Sequence, residues 1–311
     1  MKRVPFVLAG IAALVLTGHL LSAQGAGLRI TYLYDNTIAT QGTKPDWGFA
    51  CLLEGRGHTI LFDTGTRPDV LRDNMTALKV DPTRVQAVVF SHEHGDHTMG
   101  IDALPAIPGL PVFVGEHFRL QPAVVAAFSR MGAKRITVTA EKPIEVFPGF
   151  TVTDEIVTGA AYEEALVVDT PEGSVVIVGC AHPGIVLMLK RIAETTKKPI
   201  HMVIGGFHLV QTPADDVKRI IADFKALGVA WAGPTHCTGD EAIRLFREAY
   251  GDHFIAGGVG TVVEAPKAAS VPRCSRWPSS RTRLAERDVL GSRLPEWCSD
   301  NHEGSGFGGR E

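Results

Sequence analysis

No charge excess marks this chain. Its 31 Lys and Arg stand against 34 Asp and Glu, a formal net charge of -3. With no basic stripe there is no footprint for nucleic acid, and a polyanionic partner is not favoured either. A regular disulfide framework is missing too, because the 5 cysteines are an odd number. Cys51 reads as a small core residue in a strand. Cys180 and Cys237 each lie beside a histidine. Cys274 and Cys298 fall in the C-terminal stretch, where their pairing would need an oxidising compartment. Long apolar runs are scarce. The longest, Val4 to Leu21, follows Lys2 and Arg3 and precedes Ser22-Ala23-Gln24-Gly25-Ala26. It reads as a secretory signal over residues 1–25, cut after Ala23 or Gly25, and predicts export to the periplasm or beyond. A retained anchor is the competing reading, which Pro5, Thr17, Gly18 and His19 weaken. After cleavage no stable membrane partner is expected.

What remains is of ordinary globular composition, 45% hydrophobic and 21% charged over 311 residues, enough for one large α/β domain or two small ones. Leu28 to Tyr34, Gly48 to Leu53 and His58 to Phe62 read as strands, with Glu54-Gly55-Arg56-Gly57 as a hairpin turn. Val85 to Phe90, Ala165 to Asp169, Ser174 to Val178 and Ile200 to Ile204 add further strands, and His253 to Val263 closes as a Gly-rich one. Helical spacing covers Pro68 to Lys79, Phe118 to Met131, and Pro183 to about Thr195. Pro213 to Leu227 reads as a helix with Thr212 as N-cap and Pro213 first. Thr238-Gly239-Asp240-Glu241 has the pattern of a capping box opening a helix through Tyr250. Two groups of strands flanked by helices predict two packed sheets with helices outside. This globular region spans 28–264. Residues 265–311 lose apolar periodicity and predict a disordered tail.

The segment richest in chemistry is His92-Glu93-His94-Gly95-Asp96-His97, directly after an apolar run. His92 and His94, two apart, can grip one cation from an extended stretch, and Asp96 and His97 can reach a second around Gly95. A complete centre needs more ligands. His182, His208 and His236 each follow an apolar run at a strand end, where sheet proteins build sites. His182 and His236 are expected as metal ligands, and His208 as a ligand or a substrate contact. Asp63, also at a strand end, is placed to brace the metal turn from behind, and Cys180 to line or bridge it. His19, His58, His117, His201 and His253 lack this context and read as bystanders. The helix starts after Thr238 and at Pro183 are expected to offer free N–H groups to an anion.

Leu61-Phe62-Asp63-Thr64-Gly65 together with Ser91-His92-x-His94-x-Asp96-His97 resembles the metallo-β-lactamase superfamily. The order Gly-Cys-Ala-His, Gly-Gly-Phe-His-Leu and Thr-His-Cys-Thr-Gly is similar to one branch of it, which includes the archaeal dihydropterin synthases of methanopterin assembly. The resemblance covers about 28–264 and implies an αββα sandwich of two mixed sheets flanked by helices. It implies two zinc ions, one near His92, His94 and His182, the other near Asp96, His97 and His236. Gly179-Cys180 departs from the Gly-Asp that many members carry at the bridging position. His94, in place of a glutamate, argues against the di-iron flavoprotein branch.

The resulting expectation is metal-assisted hydrolysis of an ester, lactone, amide or phosphoester. In it Asp96 orients the attacking water or accepts its proton, and His208, or the helix starting after Thr238, positions an anionic part of a small-molecule substrate. Bond formation in the manner of the pterin branch, a non-catalytic periplasmic metal-binding protein, and a mononuclear iron oxygenase are the alternatives. Export argues against methanopterin synthesis itself.

Overall fold

The computed structural model describes residues 27–159 and 161–265. The expected signal over 1–25, the tail from 266 on, and Cys274 and Cys298 lie outside the described residues. Among the described residues no helix is long and apolar enough to cross a membrane.

The strands are β1 (Arg29–Tyr34), β2 (Ala50–Gly55), β3 (His58–Phe62), β4 (Ala87–Val89), β5 (Pro111–Gly115), β6 (Lys134–Val138), β7 (Ile144–Phe147), β8 (Phe150–Val152), β9 (Ile156–Thr158), β10 (Ala161–Glu163), β11 (Leu166–Thr170), β12 (Gly173–Val178), β13 (Ile200–Gly206), β14 (Trp231–Thr235) and β15 (Val262–Glu264). The helices are α1 (Pro68–Ala77), α2 (Gly95–Thr98), α3 (Pro122–Met131), α4 (Ile185–Thr196), α5 (Ala214–Ala226) and α6 (Asp240–Tyr250). One sheet runs β15-β1-β2-β3-β4-β5-β6 and the other β14-β13-β12-β11-β8-β7, with β9 and β10 as a separate ribbon. Both sheets are mixed. In the first, β3 to β6 are parallel and the β15-β1-β2-β3 pairings antiparallel. In the second, β12 to β14 are parallel and the remainder antiparallel.

Alternation along the strands builds the layers. Cys51, Leu53, Phe62 and Val89 turn inward against Val152, Leu166, Ile177 and Ile204 of the opposite sheet. Leu52, Leu61, Val88 and Val112 face outward onto Val70, Leu71, Val124 and Phe128 of α1 and α3. Val176, Val178 and Val203 face Met188, Leu189, Val217 and Phe246 of α4 to α6. The molecule is therefore an αββα sandwich, as the resemblance implied.

Several boundaries differ from the sequence expectation, each for a local reason. The third helix starts at Pro122 and not Phe118, since proline fits the first helical turn. Pro213 is the N-cap of α5, and Thr212 provides no side-chain cap. Gly239 caps α6, because Thr238 is engaged elsewhere: its hydroxyl donates to Thr235 O at 2.6 Å and accepts from Phe207 N at 3.0 Å. Helix α4 begins at Ile185 with Gly184 as its N-cap, so Pro183 lies in the turn before it and does not open the helix. Residues 253–261 form loops and isolated bridges, and only Val262–Glu264 pairs with β1. The sheet-edge strands β6 and β7 and the ribbon of β9 and β10 did not show in the sequence because they are short and partly exposed, without full alternation.

Candidate metal centre

Every side chain of interest leaves the carboxyl end of a strand in the parallel parts of the two sheets. Asp63 follows β3, the segment 91–97 follows β4, Cys180 and His182 follow β12, His208 follows β13, and His236 follows β14. Such strand ends are where α/β proteins place their sites. Because the two sheets face each other, residues more than a hundred positions apart meet there. His92, His94 and His182 bring their donor atoms within 4.8 Å of one another, and so do Asp96, His97 and His236. Both triads are those set out from the sequence.

The backbone at these positions is unusual. Asp63, Ala181, His208 and His236 are all non-glycine residues with φ between 51° and 58°. That left-handed region costs of order 1–3 kcal/mol per residue and persists where surrounding contacts over-determine it. Those contacts are visible. Asp63 accepts hydrogen bonds from Ser91 N and Oγ, both at 2.7 Å, and from His97 Nδ1 at 2.7 Å. Glu163 gathers the amides of Cys180, Ala181 and His182 at 2.7–2.8 Å, and its carboxylate also takes His182 Nδ1 at 3.1 Å. Asn36 donates to His236 O at 3.0 Å while its carbonyl accepts from His236 Nδ1 at 3.1 Å. Gly179 has no room for a side chain: a Cβ there would lie 1.9 Å from Ser91 Oγ.

These partners fix the tautomers. His97, His182 and His236 each donate Nδ1–H to an oxygen acceptor, so each presents an Nε2 lone pair inward. Ser91 Oγ, which donates to Asp63, accepts from His92 Nδ1 at 2.8 Å and leaves His92 in the same state. When both rings are neutral, lone pairs of His97 Nε2 and His236 Nε2 face each other 3.2 Å apart, and the lone pair of His92 Nε2 lies 3.1 Å from His94 Nδ1. Between neutral imidazoles such lone pairs repel, and either a proton on His97 or a metal cation among them relieves the repulsion. The donor set of imidazoles with one carboxylate and a thiol suits zinc and similar ions.

The electrostatics without a cation follow from burial. Burial drives His92 far below the ordinary imidazole range, with His97 and His182 adding to it. Burial and His182 lower His94 in the same way. Burial also works against a charged His97, but the Asp63 carboxylate outweighs it and raises that group to about 9. Burial lifts Asp63 above its usual value despite His97 and Ser91. In Asp96, burial is outweighed by His236 and His97, which hold the carboxyl well below the usual range. In Glu163, burial is likewise outweighed by His182 and the amides of Ala181 and His182, and the group is lowered.

Cys180 lies among the donors and not behind them, with Sγ 3.2 Å from His97 Nε2. His208 is exposed at the mouth, its ring 4.4 Å from that of His182. A cleft of about 320 Å³ opens there, lined by Glu93, Tyr162 and His208 as well as His92, His94 and His182. Three features escaped the sequence reading. Glu163 sits in an acidic pair before an apolar strand, and only the fold shows it buried. Asn36 follows an apolar strand, a position that could have drawn notice. Trp47, 53% exposed, holds its ring 4.8 Å from that of His236. His117, taken as a bystander, stacks on Tyr162 at 4.6 Å and pairs with Glu155 at 2.5 Å. The first turn of α6 carries Asp240 and Glu241, an acidic start that does not favour the anion-receptor role expected for it.

Comparison with known proteins agrees with this fold. The profile of the metallo-beta-lactamase superfamily matches residues 46–213, more than half of the chain, and the chain belongs to that superfamily. A relative from Methanocaldococcus jannaschii, 7,8-dihydropterin-6-methyl-4-(beta-D-ribofuranosyl)-aminobenzene-5'-phosphate synthase, is 26% identical over 71% of this chain and 92% of its own. A crystal structure of a metal-dependent hydrolase of the beta-lactamase superfamily superposes with a TM-score of 0.65 at 28% identity, covering 76% of this chain and 99% of that one. The metallo-beta-lactamase fold protein YhfI from Bacillus subtilis shares the fold at a TM-score of 0.55 and 16% identity, covering 77% and 100%.

Proposed function

We propose that the protein is an exported dizinc hydrolase acting on a small, anionic ester, lactone, amide or phosphoester. The observation that carries this reading is the set of inward-facing nitrogen lone pairs, each fixed by an acceptor on the other ring nitrogen. His92, His94 and His182 would hold one ion, and Asp96, His97 and His236 the other. Zinc held there supplies a water acidified to near neutral pH and a positive field for the developing oxyanion. Asp96, kept ionised by His236 and His97, would orient that water or accept its proton. His208, whose charged form is favoured by its hydrogen bond with Cys237, receives the anionic group of the substrate at the mouth. Asp63 and Glu163 keep His97 and His182 in register.

Zinc content by elemental analysis and turnover on an ester, phosphoester and lactam panel test this together. Wild type should carry about two zinc ions and show turnover, and His94→Ala should lose about one ion and 10²-fold or more of the rate. Two bound ions with no turnover across the panel would overturn it.

The similarity to the pterin-branch synthase supports a second reading, bond formation on an aromatic amine substrate. It is favoured if pterin or aminobenzoate compounds bind while hydrolysable esters do not.

A further inference from the structure

Among the described residues, five sets of side chains bring metal-binding atoms within 4.8 Å of one another, and Cys180 belongs to three of them. It joins His92 and His97, one member of each triad. It joins His182 and His208, and it joins His236 and Cys237. No carboxylate in those sets has such a central place, since Asp96 groups only with His97 and His236. We propose that Cys180 Sγ is a ligand shared by the two cation positions, a bridging thiolate that makes the centre select thiophilic ions over magnesium, calcium or manganese. The proposal rests on the dizinc reading above and adds the bridging atom and the basis of metal choice.

Geometry and charge both support it. Cys180 Sγ stands 3.2 Å from His97 Nε2 and is buried. Its backbone is held by Glu163 at 2.8 Å, and the left-handed Ala181 that follows turns the chain so that Cys180 and His182 both reach the cluster. Two metal–sulfur bonds of about 2.3 Å meeting at one atom span the roughly 3.5–4 Å between ions of a dinuclear centre. Two divalent ions bring four positive charges, yet the two triads offer a single anion, Asp96. A thiolate adds a second negative charge where His92 and His97 are closed to solvent. On metal uptake the S–H bond breaks, the proton leaves to solvent and sulfur–metal bonds form, with no change of oxidation state. Cys237 Sγ lies within 4.8 Å of the Cys180 and His236 donor atoms and 3.8 Å from Cys180 O, and acts as a support for the bridge.

Zinc-edge X-ray absorption on the zinc-loaded full chain tests this. Wild type should show sulfur at ~2.3 Å with about one sulfur per zinc, as one atom shared by two ions requires. The same shell should persist in Cys237→Ser and in a chain carrying Cys274→Ser with Cys298→Ser. It should vanish in Cys180→Ser and in Cys180→Asp, and the aspartate variant should keep both ions because a carboxylate can also span them. Should the serine variant not fold, the aspartate variant and the wild-type sulfur count still decide. Two zinc ions with only nitrogen and oxygen neighbours, one sulfur per two zinc ions, or a shell lost with Cys237→Ser would overturn the shared thiolate and leave the hydrolase reading standing. A wild-type chain that takes up no zinc would overturn both.

Discussion

Asp63 Oδ2 accepts the Nδ1–H of His97 at 2.7 Å, with both side chains wholly buried and 34 residues apart in the chain. This contact ties the end of β3 to the turn after β4. It sets the tautomer of His97 and, through Ser91, that of His92 as well. One carboxylate thus prepares a nitrogen in each triad.

Replacement of that carboxylate should reach the metal without touching it. Asp63→Asn keeps the volume but offers a weaker acceptor and an amide that opposes Ser91 N and His97. Zinc affinity is expected to fall about 10–100-fold, measured by competition with a chelating dye. Affinity equal to wild type would show that His97 is oriented by something else.

Glu163→Gln should separate the two triads. The carboxylate serves three amides and His182 Nδ1, and an amide nitrogen in its place would face donors. A loss of about 1–3 kcal/mol in unfolding free energy is expected, with the ion near His182 held more weakly than its neighbour. Denaturant titration and stepwise zinc stoichiometry report the two effects, and equal weakening of both ions would contradict the separation.

Gly179→Ala should disturb the same brace sterically. The added Cβ would stand 1.9 Å from Ser91 Oγ and 3.1 Å from Asp63 Oδ2. Overpacking of this kind costs about 1–3 kcal/mol, and zinc binding should weaken with it. A melting temperature equal to wild type would show that the Ser91–Asp63 pair can move aside.

The stabilising contribution of His97 to the metal-free protein should fall as pH rises. His97 sits at about 9 in the fold against an ordinary 6.5, so the folded state binds its proton more tightly. Its contribution is fully present below the unfolded value of about 6.5. It declines as pH climbs through the folded value. Zinc competes with that proton, so binding should tighten over the same interval. The difference in unfolding free energy between chelator-treated wild type and Asp63→Asn at pH 6, 7.5 and 9 measures the first effect. A difference that increases over this range would refute the assignment.

Much of the centre was legible in the sequence because metal chemistry restricts residue types sharply. Few side chains bind zinc, and the close spacing in His92-Glu93-His94-Gly95-Asp96-His97 marks one turn as a ligand cluster before any fold is known. His182, His208 and His236 were found by the apolar strands before them. Glu163 was not, since an acid beside Glu164 reads as a solvated face until its backbone partners are seen. The capping box at Thr238 misled for a related reason: its hydroxyl has a stronger engagement with Thr235 and Phe207 than with its own helix.

The sequence alone determined the layer order, because two groups of apolar strands, each flanked by helices, bury their faces only as packed sheets with helices outside, and it determined the candidate metal chemistry, because the residues able to ligate are few and clustered. Only the tertiary structure decided which nitrogen of each imidazole faces inward and that Cys180 stands among the donors. Those facts depend on hydrogen-bond partners and on the approach of two sheets across more than eighty residues of chain, distances that local sequence pattern does not encode.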